Sequence, residues 1–189
     1  MCGIAGILSK EKVTVQVLQD ISKVIRHRGP DDEGFIIVED NKIVSCKGED
    51  TIEELSAFQP IEEQQQFNVG FVHRRLSIIE LNKEGHQPML DDSKNYVIVF
   101  NGEVYNFKEI RKELEAEGLV FESNSDTEVV LQAYIKWGEK CVHKFVGMWA
   151  FVIYNKTNQQ LFISRDRFGI KPFYYFHKNE LFAFASEIK

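Results

Sequence analysis

The chain opens Met1-Cys2-Gly3-Ile4-Ala5-Gly6-Ile7, and the cysteine in second position is the residue best suited to chemistry. With the initiator methionine trimmed, which small residues behind it favour, Cys2 carries a thiol and a free α-amino group together. A thiol with an ordinary pKa of about 8.5 needs a base before it attacks well. An α-amino group, at about 7.7–8.0, is a base poised near neutrality and already positioned beside the sulfur. That pairing suits nucleophilic attack on an amide. Taken alone, Cys2 also fits as a small apolar residue starting a buried strand.

Other stretches could carry chemistry, each with a plainer structural account. Asn101-Gly102, between the apolar runs Tyr96–Phe100 and Val104–Phe107, is on its own the strongest short signal for a hairpin turn. Ser125-Asp126-Thr127-Glu128 has capping-box spacing, within which Asp126 fits a first-turn acid favoured by the helix dipole. Arg75 reads as a surface arginine on a strand, and Arg28 with Asp31-Asp32 as an ion-paired loop. His27, His73, His86, His143 and His177 have no metal-ligand spacing, and neither do the three cysteines at 2, 46 and 141.

At 189 residues, 43% hydrophobic and 28% charged, the chain suits one domain with a substantial core. A net charge of −6 argues against nucleic acid as the partner. No apolar run approaches the roughly 18–20 residues of a membrane helix, and no charged leader precedes Cys2. With no paired cysteine framework, these features predict a protein of a reducing cytoplasm.

The elements that must position these residues follow from periodicity. Ile4–Leu8 predicts a buried strand, and Val17, Leu18, Ile21, Val24 and Ile25 an amphipathic helix ending near Arg28-Gly29-Pro30. Strands are predicted at Gly34–Val38 and Lys42–Cys46 across Asp40-Asn41, then over Val69–Ile79 and Tyr96–Phe100. Between them, 47–67 is a polar excursion anchored by Ile52, Leu55, Phe58 and Ile61. Asn106 and Ser125 head two helices stopped by Gly118 and Gly138. Four strands close the chain, at Met148–Tyr154, Leu161–Ser164, Phe173–His177 and Leu181–Ala185, and the aromatics from Phe151 to Phe184 read as core. Many short strands, few helices and little βαβ alternation make an antiparallel α+β fold.

Six runs in order carry a resemblance: Cys2-Gly3-Ile4-Ala5-Gly6, Arg26-His27-Arg28-Gly29-Pro30-Asp31, His73-Arg74-Arg75-Leu76-Ser77-Ile78, Asn101-Gly102-Glu103-Val104-Tyr105-Asn106, Ser125-Asp126, and Arg165-Asp166-Arg167-Phe168-Gly169-Ile170-Lys171-Pro172. Together they resemble the class II, N-terminal nucleophile glutamine amidotransferase domain of the asparagine synthetase type, from residue 2 to 187. The resemblance implies an αββα four-layer sandwich, two antiparallel sheets between helical layers. It implies Cys2 as the nucleophile, and the Asn101 side-chain amide with the Gly102 backbone N–H as oxyanion donors. Glutamine is the implied substrate. Arg75, immediately before Leu-Ser-Ile, is then the clamp for its α-carboxylate, and Asp126 with Glu103 the partners of its α-ammonium. Arg165-Asp166-Arg167 and Lys171-Pro172 are expected to be structural, facing whatever accepts the ammonia.

No metal or organic cofactor is expected for glutamine hydrolysis. ATP and Mg²⁺ belong to a synthetase domain or subunit, for which no phosphate loop occurs in these 189 residues. The chain is therefore expected to be the glutaminase domain, 1–189, either as a piece of a longer protein or as a free-standing subunit, with a homodimer as one arrangement. Aspartate is the expected ammonia acceptor, a sugar or secondary metabolite the alternative. Two further readings stand beside these: a non-catalytic docking domain of the same fold, and an N-terminal nucleophile acylase acting on another amide.

Overall fold

The computed structural model describes residues 1–62, 64–77 and 83–189. In chain order the elements are β1 (Gly3–Thr14), α1 (Val15–Val24), β2 (Asp32–Glu39), β3 (Lys42–Lys47), β4 (Gln59–Pro60), β5 (Gln66–Arg75), β6 (Met89–Leu90), β7 (Tyr96–Val104), α2 (Phe107–Ala116), α3 (Asp126–Trp137), β8 (Gly147–Asn155), β9 (Gln160–Arg165), β10 (Tyr174–Lys178) and β11 (Leu181–Ala185). They form a seven-stranded sheet in the order β10-β11-β1-β5-β2-β3-β4 and a four-stranded sheet β6-β7-β8-β9. Every pairing is antiparallel except the two-residue contact of β4 with β3. No described helix is long and apolar enough to cross a membrane.

Three apolar clusters separate four layers. Val15 and Leu18 of α1, with Ile25 just beyond its end, pack on Ala5, Ile7, Phe35 and Val72 of the larger sheet. Ile4, Ile36 and Phe71 from that sheet meet Val97, Val99, Ala150 and Val152 of the smaller one. Ile98, Phe100, Phe151 and Ile153, on the other face of the smaller sheet, meet Ile110 and Leu114 of α2 and Val129 and Val130 of α3. The expected αββα sandwich is the observed fold.

Period-two alternation decides which side chains enter the gap between the sheets. On β5, Val72 and Arg74 face α1, whereas Phe71, His73 and Arg75 face the second sheet. Arg74 is 2% exposed, bonded to Ser22 of α1 and ion-paired with Glu33 and, at 2.7 Å, with Asp50. Strand parity therefore separates the two neighbouring arginines, with Arg74 in an internal ion cluster and Arg75 on the opposite face.

Several expectations are refined. β1 runs past Leu8 to Thr14, and a register break after Leu8 lets its polar half re-pair with Phe67 and Gln66. Asp40 and Asn41 form the predicted turn with positive φ of 48° and 64°. Asn101-Gly102 does not: the pair lies inside β7, opposite Ala150 and Trp149. The polar excursion is anchored rather than wholly solvated, since it buries Leu55 and Ile61, and its Asp50 reaches Arg26 and Arg74. Tyr174 and Tyr175 leave the predicted core, because β10 is an edge strand and Tyr175 is 70% exposed. Ile78 and Ile79, the expected end of the β5 run, fall outside the described residues.

Arg74 gives a test of this packing. Truncation to alanine would strand the buried Glu33 carboxylate, and loss of one partner of a buried pair costs about 3–5 kcal/mol. Urea denaturation of Arg74→Ala is expected to show that loss; a change within error would contradict the buried cluster.

Candidate active site

At the end of the inter-sheet gap where β1 begins and β5 and β7 end, one pocket gathers Met1, Cys2, His73, Arg75, Leu76, Gln87, Asn101, Gly102, Glu103, Ser125, Asp126, Thr127 and Lys171. All six residues singled out from the sequence, Cys2, Arg75, Asn101, Gly102, Glu103 and Asp126, lie in its wall. They arrive from three directions, and each arrival has a local cause.

Cys2 is delivered by β1, whose Gly3 and Ile4 lie opposite Arg74 and His73. Arg28 Nε donates to the Cys2 carbonyl oxygen at 3.0 Å, and Arg28 Nη1 is paired to Glu187 at 2.9 Å. The expected structural role for Arg28 is thus to pin the backbone of the nucleophile candidate. The Leu76 N–H points at Cys2 Sγ at 3.4 Å. Burial raises the Cys2 thiol above its ordinary value, and the Leu76 amide, the terminal ammonium, Arg75 and Lys171 offset only part of that rise.

The second wall is β7. Asn101 is 1% exposed, and among the described residues its Nδ2 has no hydrogen-bond partner. A buried amide N–H left unpaired costs roughly 1–3 kcal/mol, so an aimed, unpaired donor marks a place for an acceptor. Gly102 is required by close approach: a Cβ there would enter the Met148 carbonyl and Trp149 on β8. The sequence signal that reads as a turn is a strand glycine facing a neighbouring backbone.

α3 supplies the third wall. Ser125 Oγ caps it by accepting from Glu128 N at 3.2 Å. The Glu128 carboxylate accepts from Glu122 N at 2.8 Å and Ser123 N at 2.7 Å, so its bonds go to the preceding loop rather than back to Ser125. This clamp holds Asp126 in the first turn, where Val104 N donates to its Oδ2 at 3.0 Å. Burial, aided by the nearby Glu103 charge, raises the Asp126 carboxyl to about 6.

Gln87, His73 and Lys171 also line the pocket, although no sequence signal assigns any of them a role in the site. Gln87 ties the walls together, its Oε1 accepting from Phe100 N at 2.7 Å and its Nε2 donating to Thr127 Oγ1 at 3.2 Å. His73 lies 3.2 Å through Nε2 from the Phe100 carbonyl. A carbonyl only accepts, so Nε2 carries the proton and Nδ1 is left a bare acceptor, without a partner among the described residues. Burial drives its pKa down to about 3, which keeps the ring neutral. Lys171 enters from the loop after β9. Asp166 builds that loop by accepting from the N–H groups of Phe168, Ile170 and Lys171, so the expected structural role holds for Asp166 while Lys171 itself reaches the pocket. No spacing rule flags residues arriving singly from a strand interior, a connector and a loop.

A family model described as "Glutamine amidotransferase domain" matches residues 1–71 and 60–189. The chain belongs to the glutamine amidotransferase domain family. Asparagine synthetase (glutamine-hydrolyzing) 1 of Bacillus subtilis is 38% identical over 194 residues, covering 100% of this chain and 26% of that protein. Asparagine synthetase (glutamine-hydrolyzing) 3 of the same organism is 37% identical over 194 residues, covering 100% and 27%. The amidotransferase domain thus spans about a quarter of these two relatives. Among solved structures, the glutamine phosphoribosylpyrophosphate amidotransferase from B. subtilis complexed with ADP and GMP superposes with a TM-score of 0.79 at 21% identity, covering 98% of this chain and 42% of that one. That likeness is one of fold. The amidotransferase domain is of the class II kind found in asparagine synthetase-like proteins.

Asp126 carries a measurable stability signature. Its folded pKa lies above the unfolded value, so its contribution is complete below about pH 4 and is lost as pH rises through about 6. Asp126→Asn keeps an oxygen for Val104 N but removes the buried charge. Thermal melts are expected to show the variant equal to the parent at pH 4 and more stable at pH 7.5, by about 1–2 kcal/mol after loss of some helix-dipole benefit. A variant less stable at pH 7.5 would contradict the buried, strained carboxylate.

Proposed function

We propose that this domain hydrolyses the side-chain amide of glutamine through a γ-glutamyl thioester on Cys2, once Met1 is removed, and supplies the ammonia to an asparagine synthetase-type, ATP-dependent amidation. The observation that carries the reading is the buried Asn101 Nδ2, without a hydrogen-bond partner among the described residues, in the pocket that also holds the Cys2 thiol. The full-length relatives named as glutamine-hydrolyzing asparagine synthetases support the partner and acceptor.

The chemistry runs on the chain's own groups. The Cys2 α-amine takes the thiol proton as sulfur adds to the amide carbon, and the carbonyl electrons move onto oxygen. Asn101 Nδ2 and the Gly102 N–H receive that oxyanion. The amine returns its proton to the amide nitrogen as the C–N bond breaks, which releases ammonia and leaves the thioester. Water then adds to the thioester carbonyl, and glutamate departs as the thiol is restored. Arg75 holds the α-carboxylate in a fork geometry, and Asp126 with Glu103 holds the α-ammonium. Such a clamp selects a free amino acid over a generic amide. ATP and Mg²⁺ serve the amidation step in polypeptide outside these residues.

Steady-state kinetics of the Met1-trimmed protein tests this. Removal of one oxyanion donor typically costs about 10²–10³ in kcat, and Asn101→Ala is expected to fall in that range with little change in KM. KM for glutamine is expected to climb as pH drops below about 6, where Asp126 holds its proton. Trimmed protein that never releases glutamate, or an Asn101→Ala variant as fast as the parent, would overturn the assignment.

A further inference from the structure

The proposed reading leaves one buried cation of the pocket without a contact to the substrate. Under the proposed reading, on which this inference rests, Arg75 meets the carboxylate of glutamine and Asp126 with Glu103 its ammonium. The reacting amide is neutral, and its oxyanion has donors in Asn101 and Gly102. The two carboxylates offset the two cations in the overall count, but the Lys171 ammonium has no contact in this pairing. Lys171 is 6% exposed, lines the same pocket, and forms no ion pair among the described residues. Its Nζ instead lies 3.6 Å from the Met1 thioether sulfur, a weak acceptor on the residue to be removed.

The Lys171 ammonium is aimed by its backbone. Asp166 accepts from its N–H at 3.0 Å, and Arg165 Nε donates to its carbonyl at 2.7 Å, with Arg165 Nη2 on the Gly169 carbonyl at 2.6 Å. None of these contacts uses the Lys171 side chain, so the loop directs the charge inward without depending on it. The group of the same pocket that gains negative charge as it sheds its proton is the sulfur of Cys2.

We propose that Lys171 is a positioning residue for glutamine hydrolysis, its ammonium being the counter-charge that favours the Cys2 thiolate beside a proton-shedding α-amine. A cation in the same pocket acts in one direction on each group. It draws negative charge onto sulfur and disfavours a second positive charge on the amine, which eases return of the proton to the leaving nitrogen. Excision of Met1 removes the thioether from Lys171 in the same event that exposes the amine.

The test is alkylation of Cys2 by iodoacetamide across pH, read by intact mass on Met1-trimmed protein. Cys46 and Cys141 are fully buried and serve as silent references. Lys171→Met is expected to move the midpoint of the Cys2 profile up by about one pH unit, a roughly tenfold slower reaction at pH 7, and Lys171→Arg to restore it. In glutamine assays Lys171→Met is expected to lower kcat and leave KM unchanged. Should Lys171→Met fail to fold, Lys171→Gln carries the same comparison. A folded neutral variant with the parent's alkylation profile would overturn the inference. Because alkylation needs no glutamine turnover, a parent protein that alkylates but does not hydrolyse glutamine would fault the function assignment instead.

Discussion

The register in which β1 enters the larger sheet sets where Cys2 lies, and the rest of the pocket is arranged around it. Gly3 opposite Arg74 and Ile4 opposite His73 put Cys2 on the gap-facing side of the sheet, beside Leu76. A slip of one residue would turn Cys2 and Ile4 toward α1 and Ala5 into the gap. Four contacts hold the register at this end: Ile4 N to Ser186 Oγ, Ser186 N to the Ile4 carbonyl, Arg28 to the Cys2 carbonyl, and Arg28 to Glu187. The C-terminal residues 186–187 are thereby part of the support for residue 2.

On this mount the pocket is polarised along its length. Arg75 and Lys171 act on the Cys2 thiol, and Glu103 and Asp126 stand at the junction of β7 and α3. Burial is costly for Asp126, whose carboxyl is raised to about 6, and for Asn101, whose Nδ2 has no partner among the described residues. Polar groups kept buried and incompletely satisfied are what a site that recognises a charged amino acid requires, because the ligand restores what burial removed.

Much of the fold was legible because its signals are local. Asp40-Asn41 needs only residue type to mark a turn, and Ser125 with Gly138 delimits α3 as read. Asn101-Gly102 was misread in isolation because no local rule knows that Met148 and Trp149 cross behind it. Choosing Arg75 over Arg74 required the family pattern, although strand parity gives the same separation once β5 is in register. His73, Gln87 and Lys171 stayed hidden for a common reason. Each reaches the pocket through a contact distant in sequence, to Phe100, to Thr127 or to Met1.

The role proposed for Cys2 is that of a glutamine-directed nucleophile once residue 1 is gone. Its most direct measurement is intact mass before and after treatment with a diazo-ketone analogue of glutamine. The account predicts loss of Met1 and a single covalent adduct that excess glutamine blocks and Cys2→Ala abolishes. Trimmed protein that stays unlabelled, or an adduct that survives Cys2→Ala, would contradict it.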